Sequence, residues 1–508
     1  MATQETYRPL VPDDFTFHGF DELMTPLADT LHDIGIRRGP PAASTVEDAV
    51  FVPARKVPAV ERTPGRLVHE GGLVYRDGRP IELAQSRRRG TRWGTRVLGD
   101  FSQPVAVHPK RRLDEDIVYL GWYFDHFGHF LMESLARTWF LSEIPPSVKV
   151  AFHTKRNRPA GITQQILEAF GIPPERIVWL EEPTLLRRVI VPEPLYELSC
   201  SAHEWMPRSF RSVAARYISN GQPFEQPVYL SRRLLPSYLR QIVGEFELEE
   251  ILRENGFLIA YPETMTFPDQ VRLFNQHTDF FTSAGSAAYN ILFALHGPTL
   301  HVLTCGIPRQ DYFLAPAVAG APSAYCNGFG RGGRPSINTT PVLADLPTIA
   351  DYLETSGFLR KRLRSRLASQ AVGLQERFDE AWLYASVRDV PTGETLASEI
   401  EQEASALART SWPVAWMLAQ HHSLRDASLV ADLARQFIAL VATERDMSRL
   451  AQHRRDIEAA ATKITRACDV ATAAQLRATL AHRFLVDVAS GQKQRDRVPA
   501  AAISASSG

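Results

Sequence analysis

Between Val148 and Leu303 the chain alternates short apolar runs with amphipathic segments, and that rhythm restricts it to the α/β class with parallel strands. Val148 to Thr154 (VKVAFHT) has the composition of a buried strand, and Thr163 to Ile172 (TQQILEAFGI) of a helix closed at Gly171. Arg176 to Leu180 and Arg187 to Val191 supply the next strands. Tyr217 to Gln226 carries turn residues without periodicity and suits a linker, after which the rhythm restarts. Pro227 to Arg233 (PVYLSRR) reads as a strand ending in a basic cluster, Ile242 to Asn255 as a helix stopped by Gly256, and FLIAYP as a strand. A helix starts at Phe267; Asp279 to Leu295 then gives a strand, a small-residue turn at Ser283 to Ser286 and another helix, before the strand Pro298 to Leu303. Two such units predict two Rossmann-like domains facing a cleft, with ligands at the carboxyl ends of the strands.

A chain of 508 residues exceeds what one core usually organises, so more than one domain is expected. The expected division is an N-terminal α/β domain over 1–216, a second α/β domain over 227–345, a helical appendage over 346–490 and a disordered tail over 491–508. The lead-in is Pro-rich and irregular, with one clear hairpin, Leu73 to Leu83, turning on Asp77-Gly78. Ser86 to Arg96 (SRRRGTRWGTR) is strongly basic and reads as a solvated loop, with contact to an anionic substrate as the alternative. Beyond Lys361 only helical spacing remains.

Lys plus Arg and Asp plus Glu both number 57, so no global field favours nucleic acid or an acidic membrane. The four cysteines, Cys200, Cys305, Cys326 and Cys468, form no CxxC pair and no zinc spacing, which points to a reducing compartment and no metal site. No stretch reaches the apolar length of a spanning helix and no leader is visible, so a cytoplasmic protein is expected, with peripheral membrane association left open.

Gly121 to Leu141, GWYFDHFGHFLMESLARTWFL, places His126, His129 and Glu133 among aromatic and aliphatic residues. From Gly128 onward the apolar positions fall at helical spacing, which brings His129 and Glu133 onto one helix face, one turn apart. An imidazole beside a carboxylate serves proton transfer, or is a satisfied core hydrogen bond. In the second unit Ser231, Arg232 and Arg233 follow a strand, Arg240 lies near a helix start, and the amides of Gly285 to Ala287 open a helix. Arginines with a helix N-terminus are what a diphosphate requires, although pairing with Glu245 and Glu247 is the plainer alternative. Asn290 is placed to brace that turn or to touch the ligand. The loop Asn327 to Pro335 (NGFGRGGRP) lacks the preceding strand of a phosphate-binding glycine motif and reads as a loop.

HFGHFLMESLARTWFL resembles the motif of the family 61 glycosyltransferases, in which a histidine is followed four residues later by an acidic residue. The order VYLSRR, Arg240, Glu245, Gly-Phe, Pro-Glu, Phe-x-x-Gln and a Gly-containing turn followed by Asn290 resembles the donor domain of that family. The likeness spans about Leu73 to Leu303; His126 stands where Asn is common and Glu133 where Asp is common. It implies a GT-B architecture, a nucleotide-sugar donor, a UDP-sugar in particular, and an inverting transfer to a glycan acceptor in surface polysaccharide synthesis. It also implies Glu133 or His129 as catalytic base, with Glu133 preferred, and His126 and Asp125 on the acceptor. Arg232, Arg233, Arg240, Gly285, Ser286 and Asn290 would hold the donor, with no metal and no other cofactor; Asp114-Glu115-Asp116 reads as a solvated turn. A nucleotide-sugar-binding scaffold that acts or self-associates through the helical appendage, and an epimerase or hydrolase on the same frame, are the alternatives.

Overall fold

The motif segment leaves the carboxyl end of the long strand Arg111–Trp122, which sits inside a six-stranded sheet. In this computed structural model the described residues are 7–56, 69–90, 94–98, 107–154, 158–218, 221–235, 242–330, 342–359, 427–443 and 469–480, with 405, 408–409, 414–415 and 418–419. The molecule is a mixed α/β protein in which two sheets are wholly or largely parallel.

The first sheet runs in the order Ile177–Leu180, Lys149–His153, Arg111–Trp122, Thr184–Pro192, Ala43–Lys56, His69–Val74. Its first four strands are mutually parallel; Ala43–Lys56 pairs antiparallel with Thr184–Pro192, and His69–Val74 pairs antiparallel with Ala43–Lys56 at the edge. Their interior residues, Ile117, Val118, Tyr119, Val150, Ala151, Phe152 and Val189, are fully buried, as the apolar runs require of strands covered on both faces. The second sheet has the order Leu258–Ala260, Val228–Leu230, Asp279–Ser283, Thr299–Leu303, Ser323–Cys326, Thr16–His18, all parallel. Strand order reverses at Val228–Leu230, so a topological switch point lies where that strand and Asp279–Ser283 end.

Contacts divide the chain into two units. The first comprises Met1–Ser231, Glu247–Phe329 and Thr348–Lys361, and so contains both sheets; the second comprises Arg232–Phe246, Gly330–Pro347 and Arg362–Gly508. Inside the first unit one core runs from Val118, Phe130 and Leu131 to Phe293, Leu300 and Tyr325. Phe210 joins the halves, its ring 5.3 Å from Phe170 and 5.0 Å from Phe293. In the second unit Ile242–Val243 pairs in parallel with Val342–Ala344, and Ala427–Thr443 is a helix burying Val430, Leu433, Ala434, Phe437, Ile438 and Val441.

Several elements depart from the sequence expectation. The irregular lead-in contributes Thr16–His18 to the second sheet and the 14-residue strand Ala43–Lys56 to the first. The basic loop is two antiparallel strands, Ser86–Gly90 and Gly94–Leu98, because a run of charge marks solvent access and does not decide backbone pairing. Asp114-Glu115-Asp116 lies within the strand Arg111–Trp122, with Asp116 ion-paired to Arg187 and Arg188 on the neighbouring strand, rather than in a turn. The helix read from Ile242 starts only at Glu245, after Gly244 at φ +87°. The helix Leu346–Thr355 sends the Tyr352 hydroxyl to within 2.6 Å of His301 Nδ1, in the strand Thr299–Leu303. The hairpin turn is present, with Gly78 at φ +84° and the Tyr75 amide donating to the Arg79 carbonyl.

Two ionisable side chains, Arg137 and His153, are buried at the first sheet. Arg137 is 1% exposed and donates to the carbonyls of Leu83 (2.6 Å), Gln85 (3.0 Å) and Pro192. Burial pulls its guanidinium down to about 10, which still leaves it charged at neutral pH. Arg137→Met should therefore cost about 3–5 kcal/mol in urea unfolding, because three carbonyls lose their donor. His153 lies among Phe51, Tyr119 and Trp122, with the Trp122 ring 4.1 Å away. Burial, then the charge of Arg137, holds its imidazole well below its ordinary 6.5. The unfolded chain takes up a proton below that pH which the folded chain refuses, so stability falls on acidification. His153→Phe should flatten the acid limb by up to about 1.4 kcal/mol per pH unit, read from urea unfolding at pH 5 to 7.

Candidate active site

Past Trp122 the chain turns sharply. Gly121 takes φ +91° at a bulge in the strand, where a side chain would stand 3.4 Å from Arg137 Nε. The Tyr123 amide donates to the His153 carbonyl (2.9 Å), and the Phe124 amide to the buried Ser134 hydroxyl (2.9 Å). A short α turn, Phe127–His129, then widens into a π turn, Phe130–Ser134, marked by the Leu135 amide donating to the Phe130 carbonyl at 3.2 Å. Thr138–Glu143 continues as 3₁₀ helix. The sequence predicts one regular helix from Gly128; the wider turn is not visible in it, because apolar spacing constrains the buried face and not the hydrogen-bond register.

His129 and Glu133 share a face and touch: His129 Nδ1 lies 2.6 Å from Glu133 Oε2. The carboxyl side chain is 5% exposed and the imidazole 27%, so the ring is the member that meets solvent. A carboxylate on Nδ1 fixes the orientation of the ring. The His126 ring stands edge-on at 5.2 Å and the Phe124 ring tilted at 5.7 Å, while Asp125 and His126 are exposed at the lip of the turn.

The same helix meets the second sheet through Gly128. A Cβ there would lie 2.9 Å from Ser286 Oγ and 3.1 Å from Tyr289 Cε2, so only a bare backbone permits the approach. Ser286–Phe293 is a 3₁₀ helix preceded by Gly285 in extended backbone, and it follows the strand Asp279–Ser283 at the switch point. The Ser283 hydroxyl there is buried with no hydrogen-bond partner among the described residues. Thus the His129–Glu133 pair and the Gly285-Ser286 turn both lie in the first unit, and Gly128, the neighbour of His129 in the chain, packs against Ser286. Asn290 is 2% exposed; its amide donates to Gln270 Oε1 (2.8 Å), and its Oδ1 is buried with no hydrogen-bond partner among the described residues.

Arg232 and Arg233 belong to the second unit. The Arg232 amide donates to Glu245 Oε1 (2.8 Å), its Nε–H is buried without a partner among the described residues, and Arg233 lies over the Phe246 ring at 5.6 Å. Arg240, and residues 331–335 of the glycine-arginine loop, lie outside the described residues. Among the described residues no three His, Cys, Asp or Glu side chains gather as a metal would need.

Sequence reasoning missed Tyr289, Tyr312, Arg309 and Asp311. The Tyr289 and Tyr312 rings stack at 5.4 Å, and Asp311 is fully buried with Arg309 Nη2 3.1 Å away. Burial first, then neighbours including Asp311, holds the Tyr289 phenol well above its ordinary range, so it stays a neutral donor. The available signal was position: Tyr289 follows the carboxyl end of Asp279–Ser283, and Arg309, Asp311 and Tyr312 follow that of Thr299–Leu303, where α/β sheets bind ligands.

An α/β molecule with a histidine–carboxylate pair and a small-residue turn at sheet carboxyl ends is the setting of a group-transfer enzyme, and residues 127–301 match the family Glycosyltransferase 61. The chain is a glycosyltransferase, and that segment is its family 61 domain. Nothing among the curated proteins matches the chain.

Gly128→Ala should lower stability by about 1–3 kcal/mol, the range for overpacking a tight contact. Ser286→Gly in the same chain should recover part of that loss, measured as a coupling in a double-mutant cycle by urea unfolding. Additive effects would contradict the contact.

Proposed function

We propose that the protein is an inverting glycosyltransferase of GT-B type that moves a sugar from a nucleotide-sugar, a UDP-sugar in particular, to a hydroxyl of a glycan acceptor. The observation that supports this is the His129–Glu133 pair on the helix whose Gly128 packs against Ser286, at the head of the helix that follows the second sheet's switch point. In this reading the first sheet is the acceptor side and the second the donor side. His129, oriented by Glu133, takes the acceptor hydroxyl proton; the acceptor oxygen bonds to the anomeric carbon from the face opposite the leaving group. The bond from that carbon to the diphosphate breaks, and the nucleoside diphosphate leaves with the electron pair. The sequence favoured Glu133 as the base; the greater exposure of the imidazole favours His129, with Glu133 as its partner.

Ser286 and the amides that open its helix support the diphosphate. Asp125 and His126 at the exposed lip suit the acceptor. Arginines and amides take the leaving charge in this mechanism, with no metal in the step. A surface polysaccharide as acceptor and a cytoplasmic site of action follow the family resemblance. No helix among the described residues is long and apolar enough to cross a membrane.

Incubation with a panel of UDP-sugars, following UDP release with and without glycan acceptor, tests the function. Acceptor-dependent release supports transfer; release without acceptor points to a hydrolase, and binding without turnover to a scaffold. His129→Gln and Glu133→Gln should each lower turnover by about 100-fold or more while donor binding holds. The double variant should lose little beyond either single one, as groups that act as one unit do. Normal turnover of His129→Gln would remove it as the base.

A further inference from the structure

The loop between the strand Thr299–Leu303 and the helix Asp311–Ala319 holds one arginine whose anchoring exceeds what a surface ion pair needs. Arg309 has a side chain 50% exposed, yet its partner Asp311 is fully buried. Asp311 is already saturated from elsewhere: Oδ1 accepts from the Tyr196 hydroxyl (3.0 Å) and the Ser199 amide (2.7 Å), and Oδ2 from the Ser199 hydroxyl (2.9 Å). Ser199 adopts φ +56° where it meets that carboxylate, a conformation that costs a non-glycine residue energy. The carboxylate therefore does not need Arg309 to satisfy its hydrogen bonds. The guanidinium spends a single bond on it, and its other N–H groups have no partner among the described residues. A planar fork of donors, fixed at one corner and open at the rest, matches a phosphate.

Its location agrees. Tyr289, which abuts Gly128 of the motif helix, stacks on Tyr312 and feels the charges of both Arg309 and Asp311. The loop leaves the carboxyl end of the strand next to Asp279–Ser283, on the edge where Ser286 begins its helix. We propose that Arg309, preset by the buried Asp311, is a donor-binding residue that grips the diphosphate of the nucleotide-sugar and of the nucleoside diphosphate that leaves. This rests on the nucleotide-sugar reading above.

Calorimetric titration of the full chain with UDP, GDP, ADP and dTDP, and with the corresponding monophosphates, tests it on wild type, Arg309→Ala and Arg309→Lys. Arg309→Ala should weaken the best diphosphate about 10- to 100-fold and its monophosphate much less. Arg309→Lys, which keeps the charge opposite Asp311, should fold as the wild type does by circular dichroism and recover only part of the affinity, since a point charge cannot reproduce the fork. Diphosphate affinity within about twofold of wild type in either variant, or an equal loss for diphosphate and monophosphate, overturns the assignment and leaves the transferase reading intact. If the wild type binds none of the four diphosphates, the nucleotide-sugar reading falls and takes the assignment with it.

Discussion

The buried guanidinium of Arg137 is the constraint on which the geometry of the site depends. It belongs to the motif segment, eight residues beyond His129, but its three acceptors come from two other parts of the chain: Leu83 and Gln85 in the lead-in, and Pro192 at the end of a sheet strand. All three are neutral carbonyls, so the charge is solvated by the backbone and not cancelled by a carboxylate. A group of that kind tolerates little displacement, because any shift strands a charge in a low-dielectric interior. It pins the motif helix at one end, while the bulge at Gly121 lets the strand pass over it.

At the other end the helix is located by an absence of side chain. Gly128 brings the motif backbone against Ser286 and Tyr289, so the residue that presents the imidazole and the turn that opens the second sheet's helix are coupled by direct packing. The π turn between these two anchors accommodates them: it rotates Phe130 to Ser134 relative to a regular helix while Ser134 closes back onto the Phe124 amide. The motif helix and the small-residue turn at Ser286 are thereby held within one packed body.

Besides Arg137 and Asp48 at φ +52°, several strained or buried polar groups occur in and after the strands of the second sheet and in the segment that meets Asp311. Ser199 in the left-handed region, the saturated carboxylate of Asp311, the neutral phenols of Tyr196 and Tyr289 and the unpartnered hydroxyl of Ser283 are each costly alone. Much of the rest of the second sheet is ordinary apolar packing, such as the parallel rings of Phe274 and Phe280 at 4.3 Å.

The sequence by itself determined the α/β class, the strands from Lys149 to Leu303, the Asp77-Gly78 turn and the contact between His129 and Glu133. All of these follow from local rules: strand and helix periods, turn chemistry and the four-residue repeat of a helix face. Only the tertiary structure decided that Thr16–His18 completes the second sheet, that Gly128 meets Ser286, that Asn290 donates to Gln270 and that Arg309 pairs with a buried Asp311. Apart from the neighbouring Arg309 and Asp311, each joins residues distant in the chain. Even that pair reveals its role only through Tyr196 and Ser199. A periodic pattern records which side of an element is buried and carries no information about which distant partner buries it.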